Sequence, residues 1–380
     1  MELFFSRSSR NIAARWWWTV DKTLLSVVTF LVACGFVLSF SASPAVAERI
    51  HRSTYYFVWH HSIYMCLAFA ALLFFSMQDM KWIRRLAILG YIGVVILLIT
   101  TLFFGYEIKG ARRWIRFGFQ MQPSEFLKPV FIVCTAWLFE MQRQYKNFKG
   151  IWISFGLLGF TCLLLLKQPD YGMTAVVTAV WFAQLFISGV PLKKCFMLIL
   201  PIIAMFIIAY FALPHVQVRL NQMINGMFAG DIPYQVKKSL EAFKNGGLLG
   251  VGVGEGIVKM HIPDAHTDFI FPVAAEEYGL FLCILIVIAY GIVVTRSMIL
   301  STRENNMFIV LSVCGLAISF GLQALVNMAS TLQLGPTKGM ALPLISSGGS
   351  SLLGSSIGIG MLLALTRKKV HAENKDDETT

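Results

Sequence analysis

The chain has 380 residues, of which 57% are hydrophobic and 14% charged, with a formal net charge of +12. A soluble domain carries about 25% charged residues, so this composition excludes an ordinary water-soluble fold. The same apolar excess excludes a disordered chain or a coiled coil and leaves a polytopic membrane protein.

Residues 1–21 form a polar, basic segment ending in Trp16, Trp17 and Trp18. The first apolar run, LLSVVTFLVACGFVLSF, is long for a signal peptide and is read as a retained anchor. Apolar runs in this chain do not alternate with period two, so helices are expected rather than a β-barrel. About 20 apolar residues cross a bilayer core. On that basis ten transmembrane helices are predicted at 22–43, 55–76, 86–104, 126–140, 151–167, 172–188, 195–213, 269–295, 305–330 and 340–365. The linker Lys167-Gln168-Pro169-Asp170-Tyr171-Gly172 reads as a turn or a broken helix.

Charge sorts the two sides. Eighteen of the 32 basic residues fall in residues 1–22, 77–85, 141–150, 189–194, 296–303 and the tail 367–380. By the positive-inside rule these segments and both termini are cytoplasmic. The predicted organisation is therefore an all-α polytopic fold: a cytoplasmic segment 1–21, a ten-helix membrane domain 22–366 and a cytoplasmic tail 367–380. A long periplasmic loop is expected at 214–268, partly helical and near the membrane surface. Its glycine-rich run, Gly247 to Gly256, lacks the Lys-Ser/Thr of a phosphate loop and reads as a turn or a close packing contact. The seven cysteines lie in apolar runs without metal or redox spacing. No nucleic-acid module is present, so no nucleic-acid partner is expected.

Several polar groups map to the outer side. Residues 105–125 carry Arg112, Arg113 and Arg116 against the charge rule. Arginines there suit a bound anion, whose oxygens accept forked hydrogen bonds, or lipid headgroups. Lys128 lies a turn into the fourth span, either snorkelling outward or facing a cavity. Pro263 to Phe271 places His266 and Asp268 at the mouth of span eight. A carboxylate there serves equally as a helix cap or as a base. Glu276 and Glu277 follow at a depth where an ionisable group needs a partner. Lys338 sits in an outer turn, followed by the small polar run Ser346-Ser347-Gly348-Gly349-Ser350-Ser351. That run is compatible with tight helix packing or with unwound backbone lining a groove.

Three motifs together resemble the SEDS family (shape, elongation, division and sporulation). They are Arg113-Trp114-Ile115 through Gln122-Pro123-Ser124-Glu125, then Pro263 to Phe271 with Glu276-Glu277, then Pro336 to Ser351. The lysine of Pro336-Thr337-Lys338-Gly339 is similar to the division branch. Ser347 stands where the family usually has tyrosine, and Asp264 where it usually has glutamate.

The resemblance implies a peptidoglycan glycosyltransferase that polymerises lipid II at the division septum, with its active site facing the periplasm from the inner membrane. Asp268 falls on the family's essential acidic position, as a general base for the acceptor 4-hydroxyl, with undecaprenyl diphosphate leaving. Lys338 is the second catalytic candidate. Arg113, Arg116, Lys128, His266, Glu276, Ser346 and Ser350 are the substrate-binding candidates. A divalent cation, Mg²⁺ or Mn²⁺, is implied without a site. The implied partners are lipid II, a class B penicillin-binding transpeptidase of the FtsI type and other divisome proteins. A lipid II flippase and a scaffold recruiting the transpeptidase are the alternative readings.

Overall fold

The computed structural model describes residues 11–49, 55–108, 111–117, 119–212, 233–335 and 339–368, with His51, Ser53, Gln217, Val218, Asn221 and Asn225. Lys338, most of 213–232 and the tail from 369 lie outside the described residues.

A short helix, α1 (Ile12–Thr19), precedes α2 (Lys22–Arg49), α3 (Tyr56–Ser76) and α4 (Met80–Phe104). After the strands β1 (Tyr106–Ile108), β2 (Ala111–Phe117) and β3 (Phe119–Met121) come α5 (Ser124–Gln144), α6 (Gly150–Lys167), α7 (Tyr171–Ile187) and α8 (Leu192–Ala212). The loop region adds α9 (Tyr234–Gly246) and a 3₁₀ turn (Val258–His261), and the chain closes with α10 (Ile270–Ser301), α11 (Met307–Thr331) and α12 (Gly349–Leu365). Polar residues set the helix starts. Asp21 accepts from the Leu24 N–H at 2.9 Å, Asp170 from Met173 at 3.4 Å and Asn306 from Phe308 at 3.0 Å.

The fold is all-α and largely membrane-spanning, and it corrects the expected count. A helix stands at each of the ten expected positions. Among the described residues, however, only six helices are long and apolar enough to cross a membrane: in α2, α3, α4, α6, α10 and α11. For three of the other four helices the cause is physical. Helix α5 buries most of its length against protein, Glu125 and Lys128 included, so it is not selected for apolarity all round. Helices α7 and α12 are apolar but have only 17 residues each.

The last span also starts later than expected. Residues 339–348 are not helical, and Leu344 has φ +65°. Their backbone groups are taken by side chains of the surrounding helices, as buried irregular backbone requires. Gln323 donates to the Ala341 carbonyl at 3.1 Å and Asn327 to the Met340 carbonyl at 2.6 Å. The Tyr290 hydroxyl donates to the Pro343 carbonyl. Gly35 makes room, since a Cβ there would lie 2.8 Å from the Ile345 backbone.

The basic loop 105–125 contains a small antiparallel meander in the order β1-β2-β3, an addition to the expected all-helical chain. Its sequence ARRWIRF alternates: Ala111 and Ile115 are buried, Arg113 is half-buried, and Arg112 and Arg116 are exposed.

Helix α10 is broken at Gly279, which has φ +75° and ψ −175°. The 22 residues from Leu280 to Ser301 span about 33 Å at 1.5 Å each, which suffices for a core of about 30 Å. Ile270–Gly279 is therefore an extension that this length does not need. The glycine-rich run fills the break. Val251 and Gly252 donate to the carbonyls of Glu276 and Glu277 at 2.9 and 3.2 Å. Leu280 and Phe281 donate back to Gly247 and Leu248 at 3.0 and 3.3 Å. Two backbones this close exclude side chains: a Cβ on Gly250 would lie 2.2 Å from the Glu277 carbonyl oxygen. Gly250→Val should therefore cost about 3 kcal/mol or more, read as a lower melting temperature in detergent. Gly291→Ala, at a position with open space around it, should leave it unchanged.

The extension carries its own small core, with Ala42, Ala242, Ile262, Ala265, Phe269 and Val273 buried together. The opposite end is clasped by ion pairs. Arg296 holds Asp21 at 2.7 Å and Arg367 holds Asp79 at 3.1 Å, while the Lys368 N–H donates to the Thr19 carbonyl at 2.9 Å. Residues 19–21 and 367–368 thus meet at one end of the bundle, away from Asp268.

Candidate active site

Three non-helical segments meet where the motifs predicted chemistry: the meander, the loop 262–269 and the irregular stretch 339–348. Asp268 stands just before α10 and is half-buried. Its backbone carbonyl accepts from Asn327 at 2.8 Å. Its carboxylate faces Gly339, where a Cβ would lie 2.5 Å from Oδ2. Lys338, one residue earlier, lies outside the described residues.

The neighbouring loop is held by the serine run. Ser346 donates to the Thr267 carbonyl at 2.6 Å and accepts from the Leu342 N–H at 2.8 Å. The Ser347 N–H donates to the His266 carbonyl at 2.9 Å. The Asp268 loop and the 339–348 stretch therefore form one hydrogen-bonded unit. His266 stacks on Phe57 with ring centres 4.3 Å apart. Burial pushes its pKa down to about 4, so the ring is neutral at pH 7.

Ser350 links this unit to the meander side by accepting from the Gln122 N–H at 2.9 Å. Gln122 and Ser124 then donate to Asp170 Oδ2 at 3.4 and 3.3 Å. Arg113 completes the connection. It donates to the Gln168 carbonyl at 3.0 Å and to the Pro169 carbonyl, and pairs with Asp170 at 3.5 Å. Arg113 thus holds the linker between α6 and α7. Arg116 lies on the other face of β2, exposed, with its guanidinium 5.4 Å from the Tyr106 ring centre. The two arginines grouped by sequence are separated by strand parity, because an odd and an even position point to opposite faces.

Lys128 is buried and does not snorkel. Its ammonium donates to Glu125 at 2.6 Å and to the Gln323 carboxamide. It lines a cavity of about 30 Å³ with Ser319, Ser355 and Gly358 between α5, α11 and α12. Glu276 and Glu277 anchor the outer cap. Glu276 accepts from Asn245 at 2.9 Å and from the Val258 and Lys259 N–H groups at 2.7 Å each. It caps the 3₁₀ turn from outside, a carboxylate on unpaired N–H groups. Glu277 forms a buried ion pair with Lys259.

Gln168 and Asp170 were read only as part of a linker, and Asn327 and Gln323 were not singled out from the sequence, yet they hold the three segments together. A signal for the last two existed: polar amides four residues apart on one face of an apolar span. Among the described residues no group of three His, Cys, Asp or Glu side chains converges as a metal site.

The comparisons agree with this architecture. A family model described as Cell cycle protein, FtsW/RodA/SpoVE, matches residues 21–371. The probable peptidoglycan glycosyltransferase FtsW of Caulobacter vibrioides is 39% identical over 379 residues, covering 98% of this chain and 96% of that protein. The Escherichia coli O157:H7 protein of the same description is 33% identical, covering 91% of this chain and 85% of that one. Among solved structures, a chain of a peptidoglycan synthase complex that coordinates polymerization and crosslinking superposes with a TM-score of 0.72 at 26% identity, over 91% of this chain and 97% of that one. The rod shape determining protein RodA of Thermus thermophilus gives 0.65 at 26% identity, over 91% and 96%. The family match, the two relatives and the shared fold place this chain in the SEDS family, the FtsW/RodA/SpoVE cell-cycle proteins.

Proposed function

We propose that the protein is a peptidoglycan glycosyltransferase that polymerises lipid II during division, with Asp268 as its general base. The observation that carries this reading is the seat of Asp268. Its carboxylate lies at the mouth of α10, directly against the Gly339 backbone, in the unit that Ser350 ties to the meander. The FtsW description of the relatives supports the same reaction.

The reaction joins the acceptor 4-hydroxyl to C1 of the donor sugar. Asp268 takes the hydroxyl proton as the new C–O bond forms, which is how a placed carboxylate activates a weak nucleophile. The C1–oxygen bond to the diphosphate breaks, and the electron pair leaves with undecaprenyl diphosphate. One direct displacement inverts the sugar centre. The leaving group needs its charge stabilised. Arg116 and Lys338 supply that charge, and Arg113 shapes the site through Asp170. Mg²⁺ or Mn²⁺ is part of the proposal as a cation on the diphosphate, since such hard cations take one or two carboxylates plus substrate phosphates. Asp264 is the loop carboxylate that would hold it, leaving Asp268 free to accept the proton.

The orientation belongs to this proposal: cytoplasmic termini and a periplasmic site in the inner membrane at the septum. So do a class B transpeptidase of the FtsI type and other divisome proteins as partners. The test is reconstitution of the purified protein with lipid II and a divalent cation. Glycan chains resolved on a gel support the reading. Lipid II translocation in vesicles without chain formation would replace it with a flippase. Transpeptidase recruitment without either would leave a scaffold.

A further inference from the structure

On α3, Phe57, His61 and Tyr64 recur at i, i+4 and i+7 and so share one face. Contacts fix where that face points. Phe57 stacks on His266 at 4.3 Å, and Tyr64 lies so close to Gly349 that a Cβ there would be 2.7 Å from its ring. His61, between them, faces the segment between His266 and Gly349. It is 2% exposed. Among the described residues neither of its ring nitrogens has a hydrogen-bond partner, and the same holds for His266 Nδ1, Ser347 Oγ and Ser351 Oγ. Ser347 is joined to His266 through its N–H, and Ser351 lies one helical turn further along α12.

Buried polar groups are normally paired, and a cluster of unpaired ones calls for a partner from outside the protein. The chemistry of that partner follows from the set. The cluster offers imidazole nitrogens and hydroxyls, flanked by the rings of Phe57 and Tyr64. The Asp264 carboxylate acts electrostatically on His266, which disfavours an anionic ligand. Such a site suits an uncharged hydroxyl or amide on a partly apolar body, whereas a phosphate selects cations. Ser347, Gly348 and Gly349 form a half-buried rim, and the two glycines put no side chain over it.

We infer that His61, His266, Ser347 and Ser351 form a subsite for an uncharged sugar group, a hydroxyl or an acetamide, of the lipid-linked disaccharide. The identity of the sugar rests on the polymerase reading. The subsite holds the sugar end of the substrate beside Asp268, and His61 is a positioning residue.

The test is binding, so that it stands apart from polymerisation. Purified full-length protein in detergent micelles is titrated with lipid II and, separately, with undecaprenyl diphosphate. His61→Phe removes the nitrogens at similar size. It should weaken lipid II binding about tenfold, the value of one hydrogen bond at the upper end of its range. Undecaprenyl diphosphate binding should stay within about twofold, and the melting temperature should hold or rise, because an apolar ring replaces unpaired polar atoms. Ser347→Ala should weaken lipid II binding about threefold and decides alone if His61→Phe does not fold. Unchanged lipid II affinity in the folded variants would overturn the subsite, as would equal loss for both ligands. Wild-type protein that binds lipid II but makes no chains would sink the polymerase reading and leave the subsite standing.

Discussion

Asp268→Asn lowers glycan-chain formation from lipid II by about 10²–10⁴-fold, the range of a lost general base, and leaves the melting temperature unchanged. The substitution keeps size and shape and removes only the ability to accept a proton. The structure explains why the fold should tolerate it. The contact that fixes this residue from α11 is made by its backbone carbonyl, which accepts from Asn327 and is untouched. The carboxylate itself lies against Gly339, and asparagine keeps its size and one of its two oxygens there. Activity loss with intact stability is the signature of a reacting group. A cap would show the reverse, a stability loss of about 0.5–2 kcal/mol with activity retained in the surviving protein.

Lys259→Met should destabilise the protein by about 3–5 kcal/mol, the cost of leaving one partner of a buried ion pair alone. Lys259 and Glu277 are 3% and 0% exposed in their side chains. Glu277 Oε2 already lacks a hydrogen-bond partner, so without the lysine the whole carboxylate is stranded. The same lysine's N–H is held by Glu276, which couples the 3₁₀ turn to the extension of α10. The double variant Lys259→Met/Glu277→Leu should recover most of the loss, since an apolar pair of similar volume often matches a buried ion pair. Thermal melting of both variants in detergent checks this. A double variant no better than the single one would mean that the pair does more than balance its own charge.

Much of this molecule is legible in the sequence because a bilayer imposes one simple rule, about 20 apolar residues per crossing. A helix stands at each of the ten expected positions, although among the described residues only six satisfy that rule in full. The mouth of α10 was legible because Asp268 and His266 interrupt an apolar context. What stayed hidden depends on tertiary partners or on a change of period. ARRWIRF carries a period-two pattern, but its charges read as a basic cluster, so Arg113 and Arg116 were placed in one role instead of on two faces. Lys128 was left open between solvent and cavity; Gln323, 195 residues away, settles it as buried. The break at Gly279 was invisible because a lone glycine inside a helical pattern is commonly tolerated, and the loop that fills it is remote in the chain. Ser346 looked like a small packing residue or groove lining, and it is a brace between two loops.

The most direct measurement of the central claim is the release of undecaprenyl diphosphate from lipid II by the purified protein, followed alongside glycan-chain length, with Asp268→Asn as the paired control. The account predicts that wild type releases the lipid diphosphate in step with chain growth and that both signals collapse together in the variant. Equal release and equal chain growth in Asp268→Asn would contradict it.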